Sequence, residues 1–275
     1  LEFRRVLFRS LEEDPTFTIK RDTENAETIV SGVGETHLEI IISKLKNKFG
    51  AEVILREPKI AYRETIKGKS DVQGKHKKQS GGHGQYGDVK IRFESNNDDE
   101  DFKFVDQVVG GSVPRNFIPA VEKGLRECLN KGVLAGYPVI KLQATLYDGS
   151  YHPVDSSEMA FKIAASMAYK KGLEKANPIL LEPIVYVEVM VPDEYMGDII
   201  SDLNKKRGRV LGMESEGGLQ KIMAEVPESE MLKYATDLRS MTQAKGDFIM
   251  KFEKYEEVPE LEATKVIEKS KEVKE

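Results

Sequence analysis

Ile184-Val185-Tyr186-Val187-Glu188-Val189-Met190-Val191 decides how the last third of this 275-residue chain is read. Valine at every second position makes it a strand, because β-branched side chains pack well on a pleated surface. Asp193 is placed to cap a following helix that turns Met196, Ile199, Ile200 and Leu203 inward, and Gly208 to end it. Arg209–Glu214 and Leu219–Val226 read as strands around the turn Glu216-Gly217-Gly218. Ser229 is placed to cap a second helix with Met231, Ala235 and Leu238 inward, and Gly246 leads to a strand at Phe248–Tyr255. The order is βαββαβ, a ferredoxin-like unit. The tail after Pro259 is mostly Glu, Lys and Val and reads as a frayed helix or disorder.

Upstream, a second block runs from about Tyr62 to Pro178. Val89, Ile91 and Phe93 alternate with Lys90, Arg92 and Glu94, the signature of a half-buried strand. A helix from about Pro119 carries Val121, Leu125, Cys128 and Leu129 on one face and stops at Gly132; its proline lies in the first turn, where one is tolerated. Ile140, Leu142, Ala144 and Leu146 form one face of another strand. Asp155 and Glu158 fit a capping box, with Asp replacing Ser or Thr, that opens a helix bearing Met159, Ile163, Ala164 and Met167.

In the first block, Thr16–Ile19 and Glu27–Val30 read as short strands and Gly32-Val33-Gly34 as a turn. A helix from about Glu35 carries the stripe Leu38, Ile41, Ile42, Leu45 and Phe49, with Gly50 as its closing glycine. Glu52–Leu55 is a further strand, and Pro58 marks a boundary. Leu1–Ser10 has no initiating methionine and no long apolar core, so it is no signal peptide. It reads as a foreign or misassembled stretch joined to a truncated protein. The divisions are 1–10, 11–60, 61–180, 181–258 and 259–275, in an α+β multi-domain chain.

Hydrophobic content of 39% and charged content of 32% suit a soluble protein of several cores. The net charge of -5 does not announce a nucleic-acid binder, but its distribution is uneven. From Lys67 to Arg92 seven basic residues face two acids, and Glu94 to Asp101 then carries five acids and no base. A basic patch beside a glycine-rich loop points to phosphate contact, with two solvated surface patches as the plainer reading. Cys128 is the single cysteine, so neither a disulfide within the chain nor a cysteine metal site exists, which fits a reducing cytoplasm. No apolar run approaches the ~20 residues of a membrane helix, and no membrane partner is expected.

Gly82-x-Gly84-x-x-Gly87 matches a dinucleotide fingerprint literally, but that motif needs a helix after it to receive the pyrophosphate, and a period-two strand follows here. Gly68-Lys69-Ser70 lacks the earlier glycine of a phosphate loop, since Arg63 stands there. His37, His76, His83 and His152 show no metal-ligand spacing, so no metal is expected. Ser150, His152 and Asp155 could compose a triad, but such close neighbours in one loop rarely converge and no nucleophile elbow is present. No catalytic residue is assigned. Lys75, Lys77 and Lys78, with His76, lead into the glycine loop as phosphate contacts, and His83, Gln85 and His152 could bond exposed bases or 2′-hydroxyls of structured RNA.

Two segments carry a family resemblance: Gly81-Gly82-His83-Gly84-Gln85-Tyr86-Gly87, and Tyr147 to Phe161 with its core Ser150-Tyr151-His152-Pro153-Val154-Asp155-Ser156-Ser157. Both resemble the tip loops of domain IV of elongation factor G, the ribosomal translocase. Val109-Gly110-Gly111-Ser112-Val113-Pro114 resembles the same domain. Glu12 to Phe17 and Ser31 to Leu38 resemble domain III. Glu182-Pro183-Ile184, Glu194 to Asp198, Arg207-Gly208-Arg209 and Tyr234 to Ser240 resemble domain V. The resemblance covers about Leu11 to Pro259. It implies ferredoxin-like domains flanking a domain of the S5-domain-2-like α+β class, with the first domain truncated and its sheet left with an open edge. It further implies a monomeric cytoplasmic factor that promotes tRNA–mRNA translocation. Its partners would be ribosomal RNA of both subunits and the tRNA–mRNA duplex, with Gly84, Gln85 and Tyr86 on one tip loop and His152 on the other. GTP and magnesium belong to an N-terminal domain in that family, so no cofactor is expected for these residues, and no enzyme activity.

Departures from the family's wording keep alternatives open. His83 stands where arginine is common, which weakens a positive contact near neutral pH. Pro227 to Lys233 and Gln243-Ala244-Lys245-Gly246 differ from the usual PLAEMFGY and QGRG. A paralogue acting in ribosome recycling or ribosome protection fits these changes. Tetracycline-resistance proteins share the architecture but usually lack the glycine-loop and Ser-Tyr-His wording. A dinucleotide-binding enzyme is the remaining alternative.

Overall fold

The computed structural model describes residues 16, 18–22, 27–32, 34–50, 52–79, 84–96, 98 and 100–272. The Leu1–Ser10 stretch, Val33 of the expected turn, and Gly81, Gly82 and His83 of the glycine loop lie outside the described residues. The described residues fall into two compact units: those up to Ala61 together with Pro183–Tyr255, and Tyr62–Glu182 together with those from Glu256.

In the first block β1 (Thr18–Asp22) pairs antiparallel with β2 (Glu27–Ser31), from Thr18↔Ser31 to Asp22↔Glu27. Of the strand expected at Thr16–Ile19, Thr18 and Ile19 lie in β1 and Thr16 sits in a turn, while Phe17 lies outside the described residues. α1 (Glu35–Phe49) buries Ile41 and Leu45 against Ile19, Val30, Leu38 and Val53. Gly50 closes it with φ 65°, the left-handed conformation that glycine adopts without penalty. The strand expected at Glu52–Leu55 does not form. Val53 packs beneath α1, whereas Ile54 and Leu55 are exposed, and no strand among the described residues offers this segment a ladder.

The Tyr62–Glu182 unit is built from β3 (Arg63–Ile66), β4 (Ser70–Lys78), β5 (Gln85–Ser95), β6 (Phe102–Asp106), α2 (Ile118–Cys128), β7 (Leu142–Ser150) and α3 (Glu158–Lys175). Its main sheet has the order β4-β5-β7-β6, with β6 parallel to β7 and the other pairs antiparallel. A parallel neighbour requires a crossover, and α2 supplies it. The alternation read at Val89, Ile91 and Phe93 holds: all three are fully buried, in one core with Val72, Leu142, Ala144, Leu146 and Phe161. β7 begins two residues after Ile140, because Lys141 takes φ 55° and leaves extended geometry. α2 ends at Cys128, short of Gly132. The connection after it is held by Glu64, a buried β3 carboxylate that accepts four backbone N–H bonds. They come from Leu134 (2.8 Å), Ala135 (2.9 Å), Gly136 (2.8 Å) and Tyr137 (3.0 Å).

α3 lies unusually close to the sheet. A Cβ at Gly74 would stand 2.7 Å from the Ala168 nitrogen and closer still to the Ala164 carbonyl oxygen. One at Gly87 would stand 2.5 Å from the Ala160 carbonyl oxygen, and Gly172 in turn accommodates the Phe93 ring. The expected capping box is not used. Ser157 is the N-cap, accepting from Ala160 N at 3.2 Å, while the Asp155 carboxylate is taken by Gly84 N at 3.0 Å.

The ferredoxin-like block comprises β8 (Pro178–Pro192), a 3₁₀ turn at Asp193–Tyr195, α4 (Met196–Lys205), β9 (Arg209–Glu216), β10 (Leu219–Pro227), α5 (Glu228–Met231), α6 (Tyr234–Thr242) and β11 (Asp247–Glu257). The order β11-β8-β10-β9 places the first and third strands of the βαββαβ unit side by side at its centre. Val185, Val187, Val189 and Val191 face Ile199, Leu203, Tyr234 and Leu238. The first four residues of β8 pair instead with β3. Three expected end signals act differently. Asp193 accepts from Gln220 rather than capping a helix, and Ser229 accepts from Arg207. Arg207, at φ 60°, makes the left-handed turn expected of Gly208, whose N–H bonds the Leu203 carbonyl at 2.8 Å in a gap too narrow for a Cβ. The tail forms α7 (Glu260–Glu272), and residues 273–275 lie outside the described residues. α+β architecture in more than one domain is thus observed.

Gly74→Ala is expected to lower unfolding stability by about 1–3 kcal/mol, since backbone and not a flexible side chain blocks the added methyl. Urea denaturation measures it. Ala244 carries φ 63° directly after Gln243 at φ 52°. Ala244→Gly removes that penalty and is expected to stabilise by about 0.5–1 kcal/mol in the same assay.

Candidate functional site

The antiparallel register brings four element ends to one end of the Tyr62–Glu182 unit. These are the end of β4, the start of β5, the end of β7 and the start of α3. Lys75 lies opposite Asp88, Lys77 opposite Tyr86 and Lys78 opposite Gln85. Strand alternation puts Lys75 and Lys77 on the helix-free face with Tyr86, and His76 and Lys78 on the other face with Gln85. The three lysines expected as one phosphate-binding run are therefore divided between two faces. All three are exposed. The Lys75 ammonium stands 5.5 Å from the centre of the Tyr86 ring, and His76 Nε2 shares a 3.0 Å hydrogen bond with Gln85 Oε1.

Beneath Tyr86 runs a chain of polar groups. Ser150 Oγ donates to Asp88 Oδ2 at 2.6 Å, and Gln73 Nε2 donates to Asp88 Oδ1 at 2.7 Å. With its only proton committed to Asp88, Ser150 accepts from the Tyr86 hydroxyl at 2.7 Å. Ser150 is thus engaged by Asp88 and Tyr86, and the Ser150–His152–Asp155 triad considered from sequence is not assembled. His152 is exposed, with Nδ1 3.3 Å from Asp155 Oδ2 and its ring 6.4 Å from that of Tyr86. Tyr86 N donates to the Asp155 carbonyl at 2.8 Å. Gly84, Gln85, Tyr86 and His152 are brought together. His83 lies outside the described residues. Asp88, Ser150 and Asp155 as connectors were missed, because nothing in a single sequence marks which serine or aspartate faces which loop.

Electrostatics sharpen the site. Lys67 pairs with Glu257, Lys69 with Glu94, Lys90 with Asp148, and Arg92 stands 3.8 Å from Asp71. Hydrogen bonding to Lys69 holds the Glu94 carboxyl below its usual range, and Asp148 raises the Lys90 ammonium above its own. Four of the seven basic residues in the run are thereby engaged, whereas Lys75, Lys77 and Lys78 pair with no carboxylate among the described residues. The positive excess consequently collects at this end. No group of three or more His, Cys, Asp or Glu among the described residues could hold a metal ion. No described helix is long and apolar enough to cross a membrane. A strand rather than a helix follows Gly84, so the glycine loop lacks the helix N-terminus that a dinucleotide requires, and Gly87 is explained by its contact with α3.

Tyr147 opens the second loop segment. Its hydroxyl donates to Asp71 Oδ1 at 2.5 Å, and that bond, with burial second, pushes its pKa up to about 12. A raised pKa means that this contribution to stability is complete below the unfolded value of about 10 and is lost as pH rises through about 12. In ultraviolet titration of tyrosinate, Tyr147→Phe is expected to remove one component near pH 12, and Asp71→Asn to shift it toward pH 10.

Comparison with known proteins accounts for nearly every residue. Residues 2–57 match the family model for Elongation Factor G, domain III, residues 58–177 that for Elongation factor G, domain IV, and residues 179–266 that for the Elongation factor G C-terminus. A protein of known crystal structure from Thermus thermophilus is 44% identical, with a TM-score of 0.87 over 98% of this chain. The chain spans 40% of the length of that protein. Three consecutive domain models in their family order, over the fold just described, show that this chain belongs to the elongation factor G family and comprises its domains III, IV and C-terminal domain.

Proposed function

We propose that these residues form the ribosome-binding arm of a factor that promotes tRNA–mRNA translocation, with the end of the Tyr62–Glu182 unit entering the decoding centre. The observation that carries this reading is the convergence of Gln85, Tyr86 and His152 at one end of the Tyr62–Glu182 unit, beside Lys75, Lys77 and Lys78, which have no ion-pair partner among the described residues. Lysines of this kind hold phosphates without reading sequence, and the amide and imidazole groups reach bases or 2′-hydroxyls. The C-terminal ferredoxin-like domain contacts RNA of the large subunit, and GTP hydrolysis is supplied by the N-terminal part of the complete factor. The arm works in the cytoplasm as a monomer and biases one ribosomal state through differential contact with its RNA.

Replacing Gln85 and His152 together by alanine in the complete factor is expected to slow single-round translocation at least about tenfold, as two contacts of roughly 1 kcal/mol or more are lost. An unchanged rate would refute the reading. Co-sedimentation of this chain with 70S ribosomes over a salt series gives a second check. Changing Lys75, Lys77 and Lys78 to alanine should reduce the slope of log affinity against log salt by about 2.

A further inference from the structure

The two segments that meet at the site share one small side chain. Ser156 Oγ lies 2.9 Å from the His152 backbone nitrogen and 2.9 Å from the Tyr86 carbonyl oxygen. The directions are fixed by chemistry. The His152 N–H can only donate and the Tyr86 carbonyl can only accept, so the hydroxyl accepts from the first and donates its single proton to the second. The Ser156 N–H closes the turn by bonding the His152 carbonyl at 3.1 Å. Tyr86 and Ser156 also form an isolated parallel bridge, supported by the bond from Tyr86 N to the Asp155 carbonyl. One hydroxyl therefore bonds the backbone of Tyr86 and that of His152, one site residue from each segment.

We propose that Ser156 is a positioning residue that locks the Gly84–Tyr86 segment and the His152–Ser156 turn into a single surface. The inference rests on the arm function above and adds to it a coupling between the loops. Without the hydroxyl, the Tyr86 and His152 backbones each lose a partner, and the segments are joined only through Asp155, by the bonds from Tyr86 N to its carbonyl and from Gly84 N to its carboxylate. Order must then be established on binding, which weakens contact in the state the arm is meant to favour. Ser156 is half-buried and its side chain is small, so its removal leaves no large cavity.

The test compares the complete factor with Ser156→Ala, Ser156→Thr, Ser156→Cys, His152→Ala and the Ser156→Ala/His152→Ala double variant. Single-round translocation, ribosome-stimulated GTP hydrolysis and thermal unfolding are measured for each. Ser156→Ala is expected to slow translocation about tenfold, the equivalent of one well-placed hydrogen bond. GTP hydrolysis should stay within about twofold, as it would for a change confined to the arm. Threonine, which keeps the hydroxyl, should restore the rate. In the His152→Ala background the serine change should add less than about twofold, because both act through the same surface. If Ser156→Ala proves unstable, Ser156→Cys, with a weak donor on a somewhat larger atom, takes its place and should give an intermediate rate. Wild-type translocation by Ser156→Ala, or a full independent loss on top of His152→Ala, overturns the coupling. If Gln85→Ala/His152→Ala also translocates normally, the arm function itself fails; if that variant is slow while Ser156→Ala is not, only the coupling fails.

Discussion

The placement of the site depends on the contact of one helix with two strands. α3 presents Ala160, Ala164, Ala168 and Gly172 at four-residue intervals, and β4 and β5 answer with Gly74 and Gly87. Helix backbone and strand backbone approach so nearly that a methyl group has no room. Ordinary helix–sheet packing separates backbones by a layer of side chains; here that layer is missing at two points. The position of the N-terminus of α3 relative to the end of the sheet is consequently fixed. The loop before α3, with His152, Asp155 and Ser156, is delivered to the start of β5 by that contact, and the hydrogen bonds between the segments follow from it.

On the opposite face the sheet is a lattice of charge pairs and hydrogen bonds. Tyr147 and Arg92 meet Asp71, Lys90 meets Asp148, and Lys69 and Gln143 meet Glu94. Each exposed pair contributes little to stability, on the order of 0–1 kcal/mol. Their consequence is distributional. They engage the basic residues along the strands and leave Lys75, Lys77 and Lys78, at the end of β4, without a carboxylate partner among the described residues. A chain with net negative charge thus offers a locally positive end without becoming a basic protein.

The ferredoxin-like block illustrates how tertiary demands displace local signals. Asp193, Ser229 and Gly208 have the residue types of helix caps and stops, yet each is recruited elsewhere. The side chains of Asp193 and Ser229 find partners on neighbouring elements, and Gly208 is needed where the chain passes the Leu203 carbonyl. Left-handed geometry falls instead on Arg207, Gln243 and Ala244, each at a local conformational cost. Arg207 is compensated by its bonds to Glu230 and Ser229.

Sequence alone determined the periodic elements. The valines of β8, the Val89-Ile91-Phe93 alternation and the Ile41–Leu45 stripe each impose a buried face whatever their neighbours, so their type follows from spacing. It also determined the βαββαβ order and, through the wording of two loops, the family. The tertiary structure decided what depends on partners distant in sequence. It withheld a ladder from Glu52–Leu55, made Ser157 rather than Asp155 the cap of α3, and split Lys75 and Lys77 from Lys78. It also chose which carboxylates neutralise the basic run. The division has a physical cause. Burial periodicity is written into one segment, whereas hydrogen bonds and ion pairs are settled between segments, and only folding brings Tyr86 within reach of Ser156.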